Sequence, residues 1–321
     1  MRRVIILLSA IAALTLPAAA REANRPADNA ALRYWMAFAQ MNDVPISAED
    51  AVRMDAIVAG KAPWDEEKFG PLVEQNKAAI DTMIRGAHLP YCEWGIEYDL
   101  GPDAPSAHLP KARALARLNR LYAERLASTG DYDAAIRATV AGIRFSQHMA
   151  ENASFLGVLT AKVALMAHLN EVQQLAASGH LSSAQLATLR AEMKALPEGG
   201  FDWENAAHLE GGAMHDAMLT LSRASDPRAL YQTWFGNPPP AGFQVPGPQQ
   251  IAELDRTTTF YTKLLGMSPD AAKARLPALQ TQIENLDAVS RMAVPNPARM
   301  IAARAEIINV QHATAEALGV H

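Results

Sequence analysis

The sequence predicts an all-α protein of stacked antiparallel αα-hairpins, a solenoid-like helical bundle with no segment that reads as a confident strand. Three observations carry this expectation. Alanine is frequent and β-branched residues are sparse, which favours helix over strand. Apolar residues recur at helical rather than alternating spacing along most of the chain. The stretch Ser154–Ala177 is apolar around its whole circumference, and up to Asn170 its only formal charge is Lys162. A helix of that kind must be covered on all sides. Thr160, Lys162, His168 and Asn170 make it too polar for a bilayer span, so it is expected to be the central helix of a soluble protein.

Residues 1–20 read as a secretion signal. Arg2 and Arg3 form the charged start, Val4–Leu16 is the apolar run, and Ala18, Ala19 and Ala20 offer a small-residue cleavage site. The alternative is that the segment stays as an uncleaved anchor. Residues 21–28 read as a mobile lead, and no further stretch is expected to be long and apolar enough to cross a membrane. The expected location is periplasmic or secreted. Cys92 stands alone, so an exported chain of this kind holds its fold by core burial rather than by disulfides. A net charge of −5 argues against a nucleic-acid partner. Residues 29–321 are expected to form one all-α domain, with two lobes joined through 223–248 as the alternative arrangement.

Taken in order, Asn29 or Asp28 caps a first helix, Ala30–Met41, with Leu32, Trp35, Met36 and Ala39 at helical spacing. Ser47 followed by Asp50 is a capping-box variant that opens Ala48–Val58. Asp65, Glu66 and Glu67 suit the first turn of a third helix running to Arg85, where Gly86 stops it. His88–Leu109, rich in Pro and Gly, is an irregular acidic and aromatic loop. Pro110 starts Lys111–Ser128, with a buried stripe of Leu115, Leu118, Tyr122 and Leu126 and a polar stripe of Arg113, Arg117, Arg120 and Glu124. Asp131 caps Tyr132–Glu151, a helix apolar on two sides and therefore expected between two neighbours.

Ser154 is read as the cap of the central helix and Gly179 as its end. Ser182 caps Ser183–Ala195, and Asp202 caps Trp203–Ser222. The residues from Arg223 to Pro248 form a long connection. Gln249–Gly266 is helical. A helix opening at Ser268-Pro269 is expected to break at Pro277 and resume to about Ser290. Asn296-Pro297 starts the last helix, Ala298–Leu318.

The run Gly130-Asp131-Tyr132-Asp133-Ala134-Ala135-Ile136, with Gly142 after it and Ala123 before it, resembles one hairpin of a tetratricopeptide repeat. Thr139 stands where that motif has an aromatic and Asn119 where it has Trp, and the next such turn, at Gly179, lies too far on for the repeat's period. Ala123, Ala135 and Gly142 are expected to form the close contact of this hairpin. More broadly, Cys92-Glu93-Trp94-Gly95-Ile96-Glu97-Tyr98, then His108-Leu109, the Arg/Leu-rich helix, the Gly130 turn and the apolar central helix resemble a family of exported, all-helical bacterial proteins of uncharacterised function. The likeness spans about residues 29–196. It implies a fold and a compartment and carries no activity.

No nucleophile elbow, zincin motif, phosphate-binding loop or dinucleotide fingerprint occurs. Three constellations remain. Glu204, His208 and His215 share one helix face, a pattern that can ligate zinc, but the two histidines lie about 10 Å apart along the axis. A polar face with hydrogen-bonded histidines is the favoured reading, so no metal and no cofactor is expected. Cys92, Glu93, Trp94, Glu97 and Tyr98 beside Arg113 and Arg117 can line a ligand cleft. The blander reading is a plug, with Trp94 and Tyr98 buried, Cys92 inert, and the acids paired with the arginine stripe. His148, Glu151 and His168 form a third set, favoured as satisfied core residues. The expected function is a scaffold binding an unknown protein or peptide partner in a groove between hairpins. The alternative is an enzyme or small-ligand binder using the Cys92–Asp103 loop or the Glu204/His208/His215 face.

Overall fold

The computed structural model describes residues 28–42 and 46–320. The segment read as a signal and most of the lead lie outside the described residues, as do residues 43–45 and His321. Among the described residues there are fourteen α-helices and no strand. They are α1 (Ala30–Gln40), α2 (Ala48–Val58), α3 (Glu66–Gln75), α4 (Lys77–Gly86), α5 (His108–Ser128), α6 (Tyr132–Ala150) and α7 (Phe155–Ala177). Then follow α8 (Ser183–Ala195), α9 (Trp203–Arg223), α10 (Pro227–Phe235), α11 (Pro248–Leu265), α12 (Pro269–Glu284), α13 (Ala288–Ala293) and α14 (Pro297–Ala317). A 3-10 segment, Tyr98–Asp103, lies between α4 and α5.

Caps explain most boundaries. The side chains of Asn29, Ser47, Asp65, Asp131, Ser182, Asp202, Ser268 and Asn296 each accept a backbone N–H in the first turn of their helix. Ser182 and Gln185 complete a reciprocal capping box. Ser154 departs from expectation, because its side chain makes no such bond. The carboxylate of Glu210, on α9, accepts the Phe155 N–H instead, at 3.1 Å.

Four other boundaries differ from the sequence reading. The third helix is broken at the buried Asn76, whose amide donates to Leu72 O and whose Oδ1 accepts from Asn42 N–H. α5 begins at His108, so Pro110 sits in its first turn, where a missing N–H costs nothing. α12 runs through Pro277, which lies on its exposed side. The long connection holds α10, capped by Asp226 with Pro227 in its first position, and Trp234 Nε1 ties it to Asp103 at 2.8 Å.

α5, α6 and α7 stack as consecutive antiparallel neighbours. Elsewhere the chain doubles back, with α1 against α4, α9 against α11 and the 3-10 segment, and α14 returning onto α7. A one-dimensional stack of repeats would not make that last contact. The hairpin contact at Gly142 also falls elsewhere than expected. Ala123 and Ala135 are buried, but the space beside Gly142 is filled by the His168 imidazole of α7, not by α5.

α7 is the centre, touching α5, α6, α9 and α14. Two expectations about it are corrected. It is the one helix among the described residues that is long and apolar enough, by length and composition, to cross a membrane, because four polar residues do not offset so many aliphatic ones. Nor is it covered on every side. Leu156 is 57% exposed and Val163 62% exposed, about two turns apart along an open edge of the helix.

Candidate functional site

The open edge of α7 runs beside the polar stripe of α5. Leu156, Thr160, Val163, Ala167 and Asn170 recur at the four- and three-residue steps that keep residues on one helix face. Across from the last four of these, Arg113, Arg117 and Arg120 recur at the same steps on α5. Between the helices lies a half-open cleft of about 770 Å³, within the range of ligand sites. Its apolar wall includes Met54, Val58, Leu72, Leu118, Val163 and Met166. Its charged lining is Arg113, Arg117, Arg120 and Lys162 against Asp55 and Glu306, a surplus of positive charge.

The four cations differ in freedom. Arg113 is exposed and has no ion-pair partner among the described residues. Arg117 makes an exposed ion pair with Asp55 at 3.4 Å. Lys162 pairs with Glu306. Arg120 is buried, donating from Nη2 to the Val58 carbonyl, with Nε 3.7 Å from Glu171.

Beneath Arg120 is a buried polar cluster. Glu171 Oε2 is 3.2 Å from His168 Nδ1, and burial raises the Glu171 carboxyl to about 7 while the Arg120 charge opposes the rise. Burial and then repulsion from Glu171 raise Glu124 likewise to about 7. Burial, assisted by Arg120, lowers His168 to about 3, so its ring is neutral. Arg120 and His168 form the floor of the cleft, with Glu171 beneath them.

A second cavity, of about 340 Å³, adjoins the first at the N-terminal ends of α5 and α7. Trp94, Ile96 and Tyr98 form one wall, and α9 forms another through Met214, Ala217 and Met218. Gly101, with φ of 59°, lets the 3-10 segment turn against Ala217, where a side chain's Cβ would sit 3.1 Å from Ala217 Cβ. Trp94 is locked in place, its ring stacked on His108 at 4.6 Å and its Nε1 donating to His148 O at 2.9 Å.

The sequence-predicted cleft is therefore divided. Trp94 and Tyr98 line the small cavity, whereas Arg113 and Arg117 line the large one. The acids of the loop do not pair with the arginine stripe, because that stripe is turned towards α2 and α7. Glu93 instead accepts from Asn152 Nδ2 and Gly95 N–H, and Glu97 is exposed. Tyr98 is half-buried rather than buried. Its hydroxyl accepts from Ser154 N–H and donates to Asn152 O. Cys92 is fully buried, and burial, with Glu151 and Glu93 nearby, pushes its thiol well up.

The other two constellations do not converge. Glu204 and His208 are exposed, and His215 Nδ1 meets Asp255 at 2.9 Å. Among the described residues no three His, Cys, Asp or Glu side chains are grouped as a metal site. His148 Nδ1 is 2.6 Å from Tyr34 OH, Glu151 accepts the Cys92 N–H, and His168 belongs to the Arg120 cluster. Sequence reasoning missed Glu210, whose only signal is a carboxylate three residues from buried Ala207 on a helix otherwise apolar on that side. It also passed over Lys162 as a groove residue.

No protein-family model, curated protein or solved structure matches the chain, so the site is read from its own geometry.

Proposed function

We propose that this chain is a peptide-binding protein that seats an acidic, amphipathic segment of a partner in the groove between α5 and α7. One observation carries the reading: the exposed Val163 of α7, with Met166 and Ala167 beside it, shares a half-open cleft with the Arg113 and Arg117 side chains of α5. An amphipathic helix docks by laying its apolar face into such a groove, with anchors at helical spacing. The α7 residues on the cleft, Thr160 to Asn170, span about 15 Å at 1.5 Å per residue, room for about three turns of a partner helix. The surplus positive charge selects carboxylates over ammonium groups on that partner and speeds its approach. The cleft brings no nucleophile and base together, which favours binding over catalysis.

Fluorescence anisotropy of the mature chain with a labelled amphipathic peptide tests this. One peptide carries Leu at helical spacing with Glu on the flanking face, and a second has Lys for each Glu. The acidic peptide binds, with an affinity that falls as salt rises, and the basic one does not. Equal binding of both, or of neither, contradicts the proposal.

A further inference from the structure

We propose that the smaller cavity is a separate site for a small apolar amine, held as its ammonium ion by Glu210. The cavity's volume of about 340 Å³ lies at the low end for small-molecule sites, and its walls are overwhelmingly apolar. Glu210 is the one acidic side chain on them, and no Lys or Arg joins it. His108 adds no charge, because burial lowers its basicity and keeps the ring neutral.

Glu210 uses only half of its carboxylate within the protein. Oε2 accepts the Phe155 N–H at the start of α7, and Oε1 has no partner among the described residues. The groups around it do not supply a counter-charge. Tyr98 and Tyr261 are the titratable neighbours, both with hydroxyls held in their neutral form by burial, and burial likewise raises the Glu210 carboxyl. A carboxylate placed in an apolar cavity is costly unless it is paired. An ammonium group supplies that pair, and Trp94, Tyr98 and Phe235 on the same cavity give aromatic surface to its apolar body.

Capping of α7 alone does not need a charge, since a Gln amide oxygen at the same place accepts the same N–H. This gives the test. Calorimetric titration compares 2-phenylethylammonium with 2-phenylethanol, which has nearly the same shape and no charge. Wild type binds the ammonium about tenfold or more tightly than the alcohol at neutral pH, as expected for a charge-assisted hydrogen bond. Glu210→Gln brings the ammonium down to the alcohol's affinity and melts within a few degrees of wild type. Arg113→Glu with Arg117→Glu leaves both affinities unchanged, so the site stands or falls apart from the peptide groove. Equal binding of the two probes to wild type, no binding of either, or an ammonium preference that survives Glu210→Gln overturns the proposal. The two-probe comparison on wild type decides the matter even if the variant is unstable.

Discussion

The imidazole of His168 occupies the space into which a side chain on residue 142 would grow. A Cβ built on Gly142 would lie 2.7 Å from His168 Cδ2 and closer still to Cε1 and Nε2. His168 cannot swing away, because it is fully buried and its Nδ1 is held by Glu171. α6 and α7 therefore approach as closely as they do only because residue 142 lacks a side chain. Gly142→Ala is expected to cost about 1–3 kcal/mol by overpacking, despite alanine's better helix propensity. His168→Ala in the same chain should recover part of that loss, as residues in direct contact do not add. Denaturant unfolding of the two single variants and the double variant measures the coupling. Additive losses would contradict the contact.

The buried cluster next to this contact gives a pH dependence of stability. Glu124 and Glu171, ordinarily near 4.5, rise to about 7 in the folded chain. From 4.5 to 7 the folded state holds protons that the unfolded chain has lost, so these groups make stability fall as pH rises through 7. His148 and His168, ordinarily near 6.5, are lowered to about 4 and about 3. Below 6.5 the unfolded chain takes up protons that the folded one refuses, so these groups make stability fall as pH drops. The two effects offset one another between 4.5 and 6.5. Thermal melts are expected to show a plateau there, a decline towards pH 8 and a decline below pH 4.5. Glu171→Gln should flatten the alkaline decline. A melting temperature that climbs steadily from pH 6.5 to 8 would show that the carboxyls are not raised.

Cys92 is expected to be inert. It is buried against α1, its backbone N–H is tied to Glu151, and burial keeps the thiol protonated. A disulfide reagent at neutral pH should leave the native chain unlabelled over hours and label it at once in denaturant. Rapid labelling of the native chain would return Cys92 to the candidates for chemistry.

Much of the fold was legible because it rests on local signals. Ser47, Asp131, Ser182, Asp202 and Asn296 are polar residues before apolar periodic runs, and each caps its helix as read, while of the two candidates Asn29 and Asp28 it is Asn29 that caps the first. Asp226-Pro227 carries the same signal and was hidden only by the proline-rich residues that follow it. What was not legible is non-local. Ser154 has the residue type of a cap, yet Glu210, from a helix fifty residues on, does the capping. Arg113 and Arg117 follow the aromatic loop in sequence but face the other way, since the direction of an α5 stripe depends on which helices pack beside it. The exposure of Leu156 and Val163 is the sharpest case. Periodicity identified α7 as apolar all round, and only the placement of its neighbours reveals the edge left open.

That open edge and the arginines beside it carry the central claim, and a charge swap measures it most directly. Arg113 is exposed and Arg117 is solvated, so Arg113→Glu with Arg117→Glu should leave the fold intact, with a stability change of about 1 kcal/mol or less. Dissociation constants of the Glu-bearing and Lys-bearing amphipathic peptides are then compared for wild type and the double variant at low salt. The account predicts that wild type prefers the acidic peptide by about tenfold or more and that the variant reverses the preference. A variant that retains the acidic preference, with its melting temperature unchanged, would contradict binding in the groove between α5 and α7.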